Sequence, residues 1–224
     1  MSSYTPADVE AGQAVYNPLS LRLYDLWVTQ VSNRLFWKCP PERIQTFYDQ
    51  NVSTNHLDVG VGSGYYPANC KRLGPGGRLA LMDLNPESLR FTARRLEKLR
   101  PETYQADVLE PIAPQLSEAI APFDSIGLNY LIHCLPGGIE SKSVVFENLG
   151  ALLAPGGVLF GTTLLQGGVR RSPQARALMD LYNRRKYLTN RFDDLRGLRA
   201  GLESHFPEVE IDVRGAVALF RARR

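Results

Sequence analysis

His56-Leu57-Asp58-Val59-Gly60-Val61-Gly62-Ser63-Gly64 is the stretch on which the reading of this chain turns. A short strand ending in an acid runs straight into a turn with glycine at every second position. With no Cβ atoms in the way, the backbone N–H groups of such a turn come within hydrogen-bonding distance of a ligand. Asp83, in Leu79-Ala80-Leu81-Met82-Asp83-Leu84-Asn85, follows 23 residues after Gly60. That is the separation at which the next strand of a βαβ unit delivers a carboxylate to a ribose diol. The two features predict an adenosine-bearing cofactor.

Two details narrow the cofactor. A dinucleotide fingerprint G-x-G-x-x-G requires glycine at position 65, where this chain has Tyr65. Asp58 beside the turn repels a pyrophosphate but suits a ligand carrying an ammonium and a sulfonium. In these residues the chain resembles the class I S-adenosyl-L-methionine-dependent methyltransferases, whose first motif reads as an acid, a spacer and G-x-G-x-G. The resemblance runs from Asp58 to the last strand. It implies a Rossmann-like α/β fold: a seven-stranded, mostly parallel sheet with an antiparallel last strand, helices on both faces and an N-terminal helical cap.

Outward from the motif, the segments alternate as a parallel sheet covered on both faces requires. Strands are predicted at Thr54–Val59, Arg78–Asp83, Thr103–Ala106, Phe123–Ile132 and Gly157–Leu165, with helices at Pro67–Leu73, Pro86–Leu99 and Ser141–Leu153. Leu153-Ala154-Pro155-Gly156-Gly157 reads as a helix stop followed by a turn. Helical stretches around Pro173–Tyr187 and Asp193–His205 precede two strands, Val209–Val213 and Ala216–Arg221, joined at Arg214-Gly215 as a tight hairpin. Residues 1–50 form the expected cap, with one helix opened by Pro18 and another starting after Cys39-Pro40-Pro41. Residues 51–224 form the cofactor-binding domain, and 166–204 a helical insert over the substrate pocket.

Ligands of open parallel sheets bind at the carboxyl ends of the strands, so the candidate residues are strand ends. The resemblance implies that Asp58, Gly60, Gly62 and Gly64 contact the methionine part of the cofactor and that Asp83, followed by Leu84, binds ribose. Asp107, followed by Val108, accepts from the adenine amino group on the same basis. Asn85 reads instead as a helix N-cap before Pro86. After the fourth strand, Asn129, Tyr130 and His133 lie where the family places groups nearest the transferred methyl. Asn129 is assigned to the cofactor, and Tyr130 and His133 are the catalytic candidates. His133 titrates in the range of a general base, or serves as a hydrogen-bonding partner of the backbone; the residues leave both open. Asn129-Tyr130-Leu131-Ile132 lacks the paired prolines of many N-methyltransferases acting on planar nitrogens, which counts against nucleobase methylation. Tyr16, Tyr24 and Trp27, with His133, are the substrate-binding candidates: aromatics over the pocket exclude water and attract a sulfonium, or else pack a helix core. His56 reads as buried structure.

The 224 residues, 44% hydrophobic and 22% charged with a net charge of +3, describe an ordinary globular chain. No apolar run approaches a membrane span, and the first residues lack a secretory pattern. Cys39, Cys70 and Cys134 have no metal-ligand spacing and are expected to be reduced, in a cytoplasmic protein. Arg170, Arg171, Arg176, Arg184, Arg185, Lys186, Arg191, Arg196 and Arg199 make one basic region. It reads as the solvated face of surface helices, or as a nucleic-acid contact. The resemblance implies in-line methyl transfer to a small-molecule acceptor by a monomer or homodimer, with no nucleic acid, membrane or metal partner. RNA methylation and a non-methylating use of the cofactor are the alternatives.

Overall fold

The computed structural model describes residues 25–116 and 120–224. The chain enters through a π-wound helix α1 (Asp25–Trp37) and then α2 (Pro41–Asn51). There follow β1 (Asn55–Val59), α3 (Tyr65–Asn69), β2 (Arg78–Asp83), α4 (Pro86–Arg95), β3 (Glu102–Gln105) and β4 (Phe123–Asn129). Next come the short α5 (Ile139–Lys142), α6 (Val144–Gly150) and β5 (Leu153–Leu164). The chain closes with α7 (Pro173–Arg184), α8 (Leu195–Glu203), β6 (Glu208–Arg214) and β7 (Val217–Arg223).

The seven strands form one sheet in the order β3-β2-β1-β4-β5-β7-β6. Strands β1 to β5 pair in parallel, whereas β7 inserts antiparallel between β5 and β6. The strand order reverses between β1 and β4, and this is where ligands bind in such sheets. Helix starts follow local chemistry: Asn85, Ser172 and Asp194 cap α4, α7 and α8 by accepting backbone N–H groups, and Pro86 and Pro173 occupy the first helical positions.

Both faces of the sheet are buried, and the period-2 alternation of each strand divides its residues between them. Ala80 and Met82 of β2 join Leu57, Val59, Ile126, Leu128, Phe146 and Leu202 in the larger core. Leu79 and Leu81, the alternate residues of the same strand, pack with Leu89 and Leu96 of the α4 region. A second core, built around Trp37, Tyr48, Phe160, Met179 and Leu219, joins α1, α2 and α7 to the sheet.

Among the boundaries that differ from the sequence reading, the helix expected at Pro67–Leu73 spans Tyr65–Asn69 and the one expected at Pro86–Leu99 ends at Arg95, and three further differences stand out. β4 stops at Asn129 rather than Ile132, because Tyr130 adopts a left-handed φ of +58° and the chain then makes a 3-10 turn at Ile132–Cys134. β5 begins at Leu153 rather than Gly157. Pro155 and Gly156, expected as a turn, are absorbed into a bulge opposite Phe123–Ser125, with Gly156 at φ +75°. The helix expected at Ser141–Leu153 is divided into α5 and α6.

Candidate functional site at the carboxyl ends of the strands

The glycine turn leaves β1 with Gly60, Gly62 and Gly64 all left-handed, at φ +66°, +48° and +68°. The turn is fixed from two sides. The Gly60 N–H donates to the Met82 carbonyl at 2.8 Å, and the Thr92 hydroxyl on α4 donates to the Gly62 carbonyl at 2.9 Å. A Cβ at Gly60 would stand 2.8 Å from Leu131, and one at Gly64 2.5 Å from Thr92. A Cβ at Gly62 would meet nothing within 4 Å among the described residues. Gly64 leads directly into α3 as its N-cap residue.

Asp83, at the end of β2, holds its carboxylate over the turn. Oδ1 accepts the Asn85 N–H at 2.9 Å and Oδ2 the Gly62 N–H at 3.3 Å. Burial pushes its pKa above the ordinary value, and the backbone N–H groups partly offset that. Asn85 is the N-cap, accepting the Glu87 N–H at 2.9 Å. Asp107 follows β3 and accepts the Leu109 N–H on Oδ1 at 2.9 Å; its backbone is gripped by the Gln115 amide. Leu84 is half-buried beside the site. Val108 is buried in the larger core, where its carbonyl accepts from Asn148.

Asp58 is almost wholly buried, and its Oδ2 accepts the Tyr48 hydroxyl at 2.6 Å. The same hydroxyl lies 3.0 Å from His56 Nε2. Burial, and then the adjacent carboxylate, push the Tyr48 phenol far above its ordinary range, so it remains a donor. His56 is indeed buried structure, as its place in the strand indicated. Tyr48 carries no motif signal; only its position in the helix before β1 marked it, and sequence reasoning missed it.

At the end of β4, Asn129 accepts the Thr162 hydroxyl on Oδ1 at 3.1 Å. Its amide Nδ2 is buried without a hydrogen-bond partner among the described residues. An unpaired buried donor is costly, and at a strand end it is a group that a ligand acceptor would satisfy. Tyr130 donates its hydroxyl to Asn33 Oδ1 on α1 at 2.7 Å, and its ring meets that of His133 edge-on at 5.3 Å.

His133 follows in the 3-10 turn after β4. It is buried, Nδ1 accepts the Leu164 N–H at 3.1 Å, and burial followed by the Lys142 charge pulls its pKa down to about 3. The imidazole thus accepts a backbone hydrogen bond, one of the two roles its sequence position left open. Tyr16 and Tyr24 lie outside the described residues, and Trp27 lies on the backbone path of α1.

Behind the turn after β4, the Lys142 ammonium pairs with Asp193 Oδ2 at 2.7 Å, both side chains fully buried, and also donates to the Thr189 carbonyl at 3.0 Å. Asp193 Oδ1 has no partner among the described residues, and burial pushes this carboxyl up to about 6. The pair, with the Thr189 N–H on the His133 carbonyl at 2.9 Å, fastens residues 189–193 to the turn after β4.

In sheet order, the ends of β3, β2, β1 and β4 carry Asp107, Asp83, the Asp58–glycine turn and Asn129. Adjacent strands lie about 4.8 Å apart, so the row extends roughly 14 Å. That arrangement accepts a long, narrow ligand with polar groups at intervals.

A family model described as a methyltransferase domain matches residues 57–159. Demethylluteothin O-methyltransferase of Streptomyces thioluteus is 38% identical over 211 residues, covering 94% of this chain and 90% of that protein. The physcion biosynthesis cluster O-methyltransferase of Aspergillus chevalieri is 35% identical over 225 residues, covering 100% of this chain and 99% of that protein. Among solved structures, an O-methyltransferase family protein from Burkholderia thailandensis matches with a TM-score of 0.69 at 15% identity, over 95% of this chain and 61% of that one. N-methyltransferase NodS from Bradyrhizobium japonicum matches with a TM-score of 0.56 at 18% identity, over 92% of this chain and 97% of that one. The structural likenesses bear on the fold, and the sequence relatives, similar along nearly their whole length, establish that this chain belongs to the methyltransferase family.

Proposed function

We propose that the chain binds S-adenosyl-L-methionine along the ends of β3, β2, β1 and β4 and directs its methyl group to an oxygen of a small-molecule acceptor. The observation that carries the cofactor reading is the single row of Asp107, Asp83, the left-handed glycine turn and the unpaired Asn129 amide. In support, NodS was solved in complex with S-adenosyl-L-homocysteine. The acceptor reading draws on sequence relatives named as O-methyltransferases, one of demethylluteothin and one from a physcion biosynthesis cluster.

When bound, the cofactor supplies an electrophilic methyl carbon on a sulfonium. Asp107 and Asp83 would hold the adenosine part, and the open face at Gly62 lets the chain pass close to it. Asp58 and the Asn129 amide would hold the charged amino-acid end. Catalysis then comes from alignment of nucleophile and methyl, since direct displacement needs no covalent intermediate. The Tyr130 hydroxyl proton is committed to Asn33 and His133 is held neutral, so both act on the shape of the acceptor side. The basic residues Arg170, Arg176, Arg184, Arg185, Arg191, Arg196 and Arg199 are exposed to solvent, in keeping with surface helices.

The test is incubation with S-adenosyl-L-methionine and a panel of phenols, enols and hydroxypyrones, read by mass spectrometry. A gain of one methyl with stoichiometric S-adenosylhomocysteine supports the proposal. Cofactor binding with no methylated product from any hydroxylated acceptor argues for a different acceptor atom.

A further inference from the structure

A chain of buried hydrogen bonds runs from the rear of the sheet to the carboxylate before the glycine turn, and its donors follow by elimination. Tyr48 has one hydroxyl proton, which goes to Asp58 Oδ2 at 2.6 Å. The 3.0 Å contact between Tyr48 and His56 Nε2 therefore requires His56 to donate from Nε2. Its Nδ1 is then an acceptor, and the group able to donate to it is the Ser125 hydroxyl at 2.8 Å. Ser125 in turn accepts the Ser53 N–H at 2.8 Å. For a neutral His56 this assigns the donors from the Ser53 backbone to the Asp58 carboxylate; the Ser125 carbonyl lies 3.1 Å from the same Nδ1, and the Ser53 hydroxyl 2.8 Å from that of Ser125.

The aromatic surroundings leave this chain little freedom. The Tyr48 ring stacks on Tyr66 at 6.0 Å and meets Phe160 edge-on at 5.4 Å, while the His56 ring stacks on Phe160 at 5.8 Å. Tyr48 sits on α2 and His56 and Ser125 sit on β1 and β4, so three elements fix one oxygen of one carboxylate.

We propose that Tyr48 is a positioning residue: by donating to Oδ2 of Asp58, and oriented by His56 and Ser125, it presents that carboxylate to the ammonium group of the bound cofactor. This rests on the cofactor reading given above, and it adds a residue in the helix before the motif to the residues of the motif itself.

Isothermal titration calorimetry with two ligands tests it. S-adenosylhomocysteine carries the amino-acid end, and 5′-methylthioadenosine lacks it. Loss of a hydrogen bond to a charged group is worth about tenfold in affinity. Tyr48→Phe is therefore expected to bind S-adenosylhomocysteine about tenfold more weakly, with 5′-methylthioadenosine changed less than about twofold. Equal weakening of both ligands would show that Tyr48 only supports the fold, and unchanged binding of both would show that it does not act on Asp58; either overturns the proposal. Should Tyr48→Phe fail to fold, His56→Leu and His56→Gln take its place. The glutamine retains a donor toward Tyr48 and is expected to keep the ligand selectivity that the leucine loses; identical behaviour of the two overturns the proposal. If the unaltered chain binds neither ligand, the cofactor reading itself fails, and this inference fails with it.

Discussion

The backbone N–H of Leu164, the last residue of β5, donates to Nδ1 of His133 at 3.1 Å in a fully buried contact. The bond uses the lone pair that protonation would consume. It therefore ties the neutral imidazole to the end of β5 and makes acid conditions unfavourable to the fold.

The pH dependence follows with a definite sign. His133 is held at about 3 in the folded chain, below the ordinary histidine value of 6.5, chiefly by burial. The unfolded chain binds the proton first, so this contribution to stability is complete above about pH 6.5 and lost progressively toward pH 3. The limiting slope is about 1.4 kcal/mol per pH unit. Urea unfolding of the native chain between pH 7 and 4.5 is expected to show this decline. His133→Asn, whose Oδ1 can replace the acceptor, should lower stability at pH 7 modestly and flatten the curve. Parallel curves for the two proteins would place the acid sensitivity elsewhere.

Lys142 and Asp193 form a fully buried pair between α5 and the segment before α8. Removing one member leaves an uncompensated charge, so Lys142→Met is expected to destabilise by about 3–5 kcal/mol. Lys142→Met/Asp193→Leu should recover much of that loss, because it strands no charge in the interior. Thermal unfolding of the three proteins measures the difference. If the double variant is no better than the single one, the pair's remaining hydrogen bond, from Lys142 to the Thr189 carbonyl, is the dominant contribution.

Much of this architecture was legible because period-2 strands and their turn residues act locally. The Gly60–Gly64 turn, Asp83, Asp107 and the Arg214-Gly215 hairpin all sit where backbone conformation or helix starts dictate residue type. The seven-stranded sheet with its antiparallel end is what the family resemblance carried by these residues implies, and it is the sheet observed. The errors arise where distant pairing overrides local preference. Pro155-Gly156 reads as a turn, yet pairing with β4 extends β5 past it as a bulge. The lowered pKa of His133 is likewise a product of burial and of the Lys142 charge, neither of which its local sequence signals. Tyr48 was invisible because its partner, Asp58, is reached across space from another element.

Gly62 and Gly60 separate steric cost to the fold from steric cost to the ligand. Alanine at either position is strained by the left-handed backbone, at about 1–2 kcal/mol. At Gly60 the new methyl also collides with Leu131, so Gly60→Ala should lose further stability. At Gly62 it meets no atom of the described residues within 4 Å. Gly62→Ala is thus expected to remain folded, with a slightly lowered Tm, and to lose at least about tenfold in affinity for S-adenosylhomocysteine through contact with the ligand itself. Calorimetry on a protein verified as folded by circular dichroism distinguishes the cases. Unchanged affinity in Gly62→Ala would place the ligand away from this turn.

Asp83 offers the sharpest comparison within the proposed adenosine site. Its two oxygens accept N–H groups from Asn85 and Gly62, and in the proposed complex the carboxylate would also receive the ribose hydroxyls. Asp83→Asn keeps the shape but turns one acceptor into a donor, opposite either a backbone N–H or the ribose. Loss of a charged hydrogen bond predicts S-adenosylhomocysteine binding about ten- to a hundredfold weaker. Asp107→Asn should cost less, since the protein draws on one of its oxygens, for Leu109, where it draws on both of those of Asp83. Because burial raises the Asp83 pKa, affinity in the unaltered chain should fall on acidification at a higher pH than an ordinary aspartate would give. Asp83→Asn should abolish that pH dependence together with the affinity. A variant that binds weakly yet keeps the same acid limb would assign the titration to another group and leave Asp83 with a purely local role in the turn.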